Sequence, residues 1–439
     1  MAGFAKRRLG LFADPEFVAL SGTAFARAQA YSTILIALAL YADVFGTTGT
    51  IEGLFGTAFA IVQLIIVLPL GRAIDTGNAK RFLLAGLAVN VLVFGGFIFV
   101  QDPVQVIVVR VFQGIGASLL WITGAAVIGE IADEGSMGHW LGVYNQVGAL
   151  SSLMGDLVGG YLLYAYGFTE TYVVLAGITT LAGVLVLRYL RDNPGGKTDP
   201  EEHPGIETLR DLLERPMVRA LVVFRLGFSI GKMSVIIFLP IFARKTFGVN
   251  PLAIGGIHAG GKLTKSLLQG KMGELTDRYG GEHRFVLVGG LLYAVGTAII
   301  PLALVAEGTI TPITIIAGER SVTITGAIML LFAAYAILGV ADSIRLPASM
   351  SLFVQEGEHF DSVASSMSLR SISWKIGQVS GPVVVGAIKE FVSTSAAFLA
   401  AAGLIVLASA AFVISYTQAR KREDQSGGAD SAPAPPADQ

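Results

Sequence analysis

The stretch GELTDRYGGEHR, Gly273 to Arg284, and its weaker echo GRAIDTGNAKR, Gly71 to Arg81, organise the chain. Each follows a long apolar run and precedes another. Each places a glycine, an aspartate four residues on, a turn rich in Gly or Asn, and a closing basic residue. Gly and Asn tolerate the backbone conformations that end a helix, so the pattern reads as a tight break between two helices. A polar hairpin between hydrophobic helices thus occurs once in each half.

Outward from these hairpins the chain is unusually apolar. Hydrophobic residues make up 53% of its 439 residues and charged residues only 14%, against roughly 25% charged in a soluble domain. That deficit points to lipid as the solvent, because charges are costly inside a bilayer. The net charge of −1 offers no field to recruit nucleic acid. With no cysteine, disulfides and thiolate chemistry are excluded. The basic N-terminus (Lys6, Arg7, Arg8) leads into an apolar run from Phe17 that is too long for a signal-peptide core, so it reads as a retained span.

A bilayer span needs about 20 mostly apolar residues. Runs of that kind lie near 17–44, 51–70, 82–101, 103–128, 138–164 and 171–190, then near 217–243, 251–273, 285–306, 325–348, 361–388 and 393–417. The expected fold is an all-α membrane protein of twelve transmembrane helices in two pseudo-symmetric six-helix bundles. Residues 1–190 form the first bundle, 191–216 a cytoplasmic linker, 217–418 the second bundle and 419–439 a disordered tail. Within the linker, Ile206 to Leu213 could form a short surface helix. Glu307 to Ile324 is the longest loop on the opposite side, and its alternating Thr and Ile could pair locally.

Basic residues orient the chain. With the N-terminus inside, eighteen of them fall in cytoplasmic segments and only Arg244, Lys245, Arg320 and Lys389 outside. That bias predicts a multi-pass protein of the cell membrane with both termini cytoplasmic. Both copies of the hairpin then face the cytoplasm.

At this point the residues resemble a family. Twelve spans split six and six by a charged loop, with a G-x-x-x-D-[RK]-x-G loop after the second span of each half, are similar to the major facilitator superfamily. Gly273, Asp277, Arg278 and Gly280 fit that loop fully. The first copy keeps Gly71 and Asp75 but has Thr76 and Asn78 where a basic residue and a glycine are expected. RVFQGIG (Arg110, Gln113, Gly114, Gly116) in the fourth span is similar to the family's R-x-x-Q-G motif. GQVSGPVVVG (Gly377, Gly381, Pro382, Gly386) in the eleventh is close to the Gly-Pro signature of antiporter branches. SSLMGDLVGG in the fifth has Asp156 where that signature's proline usually sits.

The resemblance implies alternating access, in which Asp277 docks near the start of the fifth span and Asp75 near the start of the eleventh. A carboxylate at the positive N-terminus of a helix is stabilised by about 0.3–1 kcal/mol. Gly71, Asp75, Gly273, Asp277 and Arg278 are therefore the expected gating residues, with Asp277 outranking Asp75.

Charges within spans are functional candidates by default. Helical spacing sets Arg27 with Tyr31 in the first span, Arg225 with Ser229 and Lys232 in the seventh, and His258, Lys262, Lys265 and Gln269 in the eighth. Arg27, Tyr31, Arg110, Arg225, Lys232 and Lys262 are the expected substrate contacts, and their cations suit a carboxylate, phosphate or sulfate. Lys265 and Arg370 read as snorkelling toward the cytoplasm. Asp342 and Arg345, at i and i+3, read as a structural pair. Asp156 is the expected proton-coupling residue. It could load and release a proton, with a pairing to Arg110 coupling that step to substrate, or remain an ionised acid in a fixed pair. GIHAGGKL, Gly256 to Leu263, approaches a phosphate-binding loop but lacks its hydroxyl residue and preceding strand, and reads as a helix.

No catalytic constellation, metal cluster or nucleotide motif appears, so neither an enzyme nor a cofactor is expected. The expectation is a monomeric secondary transporter of a small organic solute, anionic or amphipathic, by efflux or exchange coupled to protons or another ion. Ion-coupled uptake of an organic anion is the alternative within transport. A non-transporting receptor or scaffold is the alternative outside it, disfavoured by the short linker and tail.

Overall fold

Proline and the residue before it set the start of four long helices. Asp14 accepts hydrogen bonds from the Glu16 and Phe17 amides (2.7 and 3.2 Å) ahead of Pro15, and Asp102 does the same for Val104 and Gln105 ahead of Pro103. Asn250 caps the helix beginning at Pro251, and Pro216 opens another. Proline at the first helical position is favoured because its missing N–H would be unsatisfied there anyway. At the other ends, the Gly280–Gly281 pair of the second hairpin lies at φ +60° and +70°, which a side chain would strain. In the first hairpin Asn78 replaces a glycine and caps the next helix instead, accepting from the Lys80 amide at 3.0 Å.

The computed structural model describes residues 11–132, 137–192, 206–317, 320–358 and 363–429. The first half holds α1 (Pro15–Val44), α2 (Gly49–Thr76), α3 (Ala79–Ile98), α4 (Pro103–Ile131), α5 (Met137–Ala165) and α6 (Phe168–Tyr189). A short α7 (Ile206–Glu214) precedes the second half. There follow α8 (Pro216–Phe247), α9 (Pro251–Tyr279) and α10 (Glu282–Ile299), which passes through a 3₁₀ turn at Pro301 into α11 (Ala303–Thr309). Strands β1 (Ile313–Ala317) and β2 (Arg320–Ile324), α12 (Gly326–Glu358), α13 (Val363–Phe391) and α14 (Thr394–Ala429) complete it. The strands pair antiparallel, Ile313 opposite Ile324 and Thr314 opposite Thr323, as the Thr-Ile alternation suggests.

Ten of the twelve long helices are long and apolar enough to cross a bilayer on composition alone. The other two, α9 and α13, are 29 residues each but carry lysines and arginines along their length. Lys262 and Lys265 of α9 and Lys375 of α13 turn inward to Asp156, Asp342 and Gln63, and the exposed Lys271, Glu274, Asp277 and Arg278 lie toward the C-terminal end of α9. Leu92, Leu181, Leu267 and Leu407 form part of an exposed apolar exterior, as lipid contact requires.

Packing repeats between halves. In the first, α1 meets α5 and α6, α2 meets α4, and α3 meets α4 and α6. The equivalent helices of the second make the same set: α8 with α13 and α14, α9 with α12, and α10 with α12 and α14. The halves join through α2 with α13, α5 with α9, and α1 with α8. The first two seams are related by the same pseudo-symmetry. Helix α7 covers one flank, burying Leu212 against Val218 and Leu369.

One boundary differs from expectation. Helix α14 continues to Ala429, past the apolar run near 393–417 and into what composition suggests is tail, because a helix once nucleated in a packed span propagates cheaply. Residues 193–205 of the linker and 430–439 of the tail lie outside the described residues.

Glycine makes the seams close. A methyl group on Gly255 of α9 would run into the Asp156 carbonyl oxygen of α5, whereas one on neighbouring Gly256 meets nothing within 4 Å. Gly255→Val should therefore lower the melting temperature of the purified protein by an overpacking cost of about 1–3 kcal/mol. Gly256→Val should melt as the parent does. Equal melting of the two variants would show that the seam does not depend on backbone approach.

Candidate functional site

The two ends of the molecule are built differently. At the end bearing the β-hairpin, the halves are held by charge. Glu52 of α2 is fully buried and takes Lys245 of α8 at 3.1 Å and Lys389 of α13. Lys245 also donates to the Thr47 carbonyl at 2.6 Å, and Asp43 of α1 pairs with Arg244 of α8 at 2.7 Å. The Thr50 amide donates to Glu390 at 2.9 Å. Beneath this layer the backbones nearly touch. A methyl group on Gly53 would strike the Pro382 carbonyl, and one on Gly386 the Gly49 carbonyl. The Gly-Pro stretch of α13 is thus half of a seam. In the equivalent one Gly160 of α5 faces Pro251 and Gly255 of α9, whereas Gly155 and Gly159 pack on Gln29, Ser32 and Thr33 of α1 within the first half.

At the linker end the seams part. Asp277 and Arg278 are exposed. Among the described residues no ion pair or hydrogen bond joins Asp277 to α5. A methyl group on Gly71 would meet nothing within 4 Å, and one on Gly273 only Pro347 of its own half at 4.0 Å. The docking expected of Asp277 is therefore not made here. The side chain of Asp75 lies outside the described residues.

Between the ends, charges form two clusters. In the first, Asp156 of α5 is fully buried and faces Lys262 of α9 at 2.6 Å across the boundary between halves. Lys262 also donates to Ser32 at 2.8 Å and Ser152 at 2.7 Å. His258 Nδ1 stands 3.7 Å from the other Asp156 oxygen, and its ring stacks on Tyr335 at 5.0 Å.

In the second cluster, Asp342 of α12 collects Lys232 of α8, Lys265 of α9 at 3.8 Å and Arg345 at 3.0 Å. The expected Asp342–Arg345 pair exists, within a larger set. Arg225 of α8 stacks over Trp374 at 4.7 Å and Arg345 over Phe228 at 3.9 Å. Tyr335 stacks on the His258 ring beside Asp156 and lies on α12 two turns from Asp342, and so stands between the clusters.

Several expectations need correction. Asp156 does not pair with Arg110. Arg110, only 1% exposed, donates to the Phe55 carbonyl at 2.7 Å and to Gln113 at 2.5 Å, with its guanidinium over Phe59. It fastens α4 to α2, because a buried guanidinium needs acceptors and the nearest are backbone and amide. Lys265 does not snorkel, since Asp342 draws it inward. Arg370 likewise buries its Nε. The His258–Lys262–Lys265 stripe divides, Lys262 to Asp156 and Lys265 to Asp342. Arg27 sits over Trp121 at 4.3 Å, and Tyr31 packs on Phe59 at 5.4 Å. Lys375 of α13, which feels the charge of Arg27, bonds to Gln63 of α2. GIHAGGKL is helical, and its Gly260 and Gly261 make room for Phe332 and Tyr335.

A sequence profile of the Major Facilitator Superfamily matches residues 20–318 and 230–438. The chain belongs to this superfamily. It is similar to the multidrug resistance protein MdtG of Enterobacter lignolyticus, 26% identical over 400 residues and covering 88% of each chain. Among solved structures it superposes on a bacterial homologue of the lysosomal transporter Spinster in an inward-facing, unoccupied conformation (TM-score 0.72, 16% identity, 92% of this chain and 97% of that one). It also superposes on the nucleoside transporter NupG (TM-score 0.72, 14% identity, 91% and 98%). At such identities the structures establish the fold. The protein is thus a multi-pass membrane transporter of the major facilitator type.

The sequence did not single out Glu52, Asp43, Tyr335 or Trp374, and Lys375 stood only among the basic residues within spans. Glu52 carried a usable signal. It sits in GTIEGLFG, where Gly49, Gly53 and Gly56 mark close helix contact, so its carboxylate had to meet another helix. Arg244, Lys245 and Lys389 looked like loop charges and are its layer's partners.

Breaking a buried ion pair by removing one partner costs about 3–5 kcal/mol, so Glu52→Gln should loosen the hairpin end. The cysteine-free chain allows spin labels at Val44→Cys and Val392→Cys, both exposed. Pulsed distance measurements should show a short separation that lengthens in the Glu52→Gln background. An unchanged distribution would mean that Glu52 does not hold the ends together.

Proposed function

We propose that the protein is a secondary active transporter that exports or exchanges a small organic solute, anionic or amphipathic, in a proton-coupled alternating-access cycle. It works as a monomer in the cell membrane, with the linker end and both termini cytoplasmic. On this reading the described arrangement is inward-open: charge and glycine close the hairpin end, and the loop residues Gly71, Gly273, Asp277 and Arg278 stand apart until the cycle reverses, when they and Asp75 gate the linker end.

The observation that carries the reading is the Asp156–Lys262 pair. Its members belong to different halves, so rocking the halves must make and break it. A carboxylate that loses its cation in a buried site takes up a proton instead of staying charged. Asp156 therefore alternates between Lys262 as partner and a proton as partner, which ties proton movement to the conformational change. Arg27, Tyr31, Arg225, Lys232 and Lys262 bring cations and an aromatic ring to the middle of the bundle, while Arg110 supports them from behind. The likeness to a multidrug resistance protein supports export.

Flux in inverted membrane vesicles tests this. A pH gradient should drive solute accumulation by the parent protein. Asp156→Asn should lose gradient-driven accumulation by tenfold or more while keeping solute-for-solute counterflow. Accumulation by Asp156→Asn equal to the parent would end the coupling role, and gradient-driven flux only in the opposite direction would make the protein an uptake system.

The loops make a second comparison. Asp277→Asn should slow turnover several-fold and Asp75→Asn less, because the second loop keeps the full charge set. Parental turnover in Asp277→Asn would remove the gating assignment.

A further inference from the structure

We propose that Arg225, Arg345 and Arg370 together form the subsite for the charged head of the substrate, and that this head is a tetrahedral oxyanion carrying two negative charges, as in a phosphate monoester with an apolar body. This rests on the transport reading above and specifies the substrate class of its site.

Among the described residues, Lys232, Lys265 and Arg345 pair with the Asp342 carboxylate, with Arg225 and Arg370 on the adjoining helices α8 and α13. Both Asp342 oxygens are already engaged, one by Lys232 and Lys265 and the other by Arg345. The arginines share one neighbourhood, so their charges repel: Arg225 lies over Trp374, one helical turn from Arg370 on α13, and Arg345 lies over Phe228, one turn from Arg225 on α8. Guanidinium groups do not shed their protons in proteins, so this repulsion cannot be relieved by neutralisation. An anion relieves it.

Hydrogen bonding points the same way. Arg225 and Arg345 are 7% and 1% exposed, yet Nε and Nη1 of each, and Nε of Arg370, have no acceptor. Leaving buried charged donors unpaired is among the most costly arrangements a fold can keep. Arg110 shows the contrast within the same protein. It is equally buried, but its nitrogens are given to Phe55 and Gln113. Elsewhere among the described arginines only Arg27 keeps an unpaired buried Nε, over Trp121; the five unpaired guanidinium nitrogens of Arg225, Arg345 and Arg370 lie in the region where cations outnumber acids.

Geometry then selects the head group. The three arginines come from three helices, α8, α12 and α13, so donors converge from different directions. A planar carboxylate offers two oxygens to one or two forks. A phosphate-type head offers three to donors arriving from several sides, and its second charge answers a local excess that one charge would leave standing. Trp374 and Phe228 lie under the Arg225 and Arg345 planes, which fixes the guanidinium groups and gives the ligand body an apolar wall. Arg225 and Arg370 sit roughly 10–14 Å in from the linker-end starts of α8 and α13, on the side where the halves are apart.

The test uses the full-length protein in detergent at fixed ionic strength, with phenyl phosphate, benzoate, benzyl alcohol and inorganic phosphate as probes. Phenyl phosphate should bind by calorimetry and raise the melting temperature. Benzoate should bind at least tenfold more weakly, and benzyl alcohol should do nothing. Arg225→Lys and Arg370→Lys, which keep the charge but lose the fork, should each weaken phenyl phosphate at least tenfold. Arg188→Lys, exposed at the end of α6 in the other half, should leave its affinity unchanged. Equal affinity for phenyl phosphate and benzoate, or parental affinity in both lysine variants, would overturn the assignment, as would inorganic phosphate binding as tightly as phenyl phosphate. Gradient-driven flux of a neutral or cationic solute with no phenyl phosphate binding would sink this subsite while sparing the transport reading. Binding without any flux or counterflow would do the reverse.

Discussion

Charge inside a bilayer is the constraint on which this structure depends. A lysine, arginine or aspartate at the centre of an isolated span costs about 2.5–3.5 kcal/mol on an insertion scale, and this chain carries many of them. Each must turn inward and find a partner. That requirement explains why α9 and α13, the two long helices whose composition alone would not mark them as spans, line the joints between halves. It also explains why the polar layers fall where helices of different halves meet. Glu52 with Lys245 and Lys389, Asp43 with Arg244, and Asp156 with Lys262 all cross that boundary.

Glycine supplies the other half of the design. In lipid, helices gain no hydrophobic energy by associating, so small residues that allow backbone approach become the adhesive. Here the two seams between halves use equivalent helices and close glycine contacts, Gly49 and Gly53 against Pro382 and Gly386, and Gly160 against Pro251 and Gly255. The Gly-Pro stretch that resembles an antiporter signature is therefore accounted for by packing. Its proline carbonyl lies where Gly53 must be bare. A seam of glycines topped by ion pairs is tight when closed, yet its charged members have other possible partners when opened, protons and water among them.

The first and second charge clusters differ in balance. Around Asp156 the charges nearly cancel, one carboxylate to one lysine with a histidine nearby. Around Asp342 they do not. The proposed division of labour, proton exchange at Asp156 and anion binding by the arginines, rests on this asymmetry. Tyr335 stands between them, its ring stacked on His258, so that the two clusters share a wall.

Much of this was readable in the linear chain, for physical reasons. Apolar runs of bilayer length, Asp-Pro and Asn-Pro starts, Gly-Gly and Gly-Asn ends and a one-sided distribution of basic residues are local properties, and lipid enforces them helix by helix. They determined the helices, their number, the duplication into two halves and the identity of the intramembrane charges. Which charge meets which was a different matter. The spacing of Asp342 and Arg345 exposed one pair because both lie on one helix. Asp156 with Lys262 and Glu52 with Lys389 join residues far apart in sequence, and Arg110 and Lys265 were misjudged because a guanidinium or ammonium group takes whichever acceptor a neighbouring helix presents. Only the tertiary structure decides that, because a helix specifies the face on which a side chain lies, and packing alone specifies what faces it.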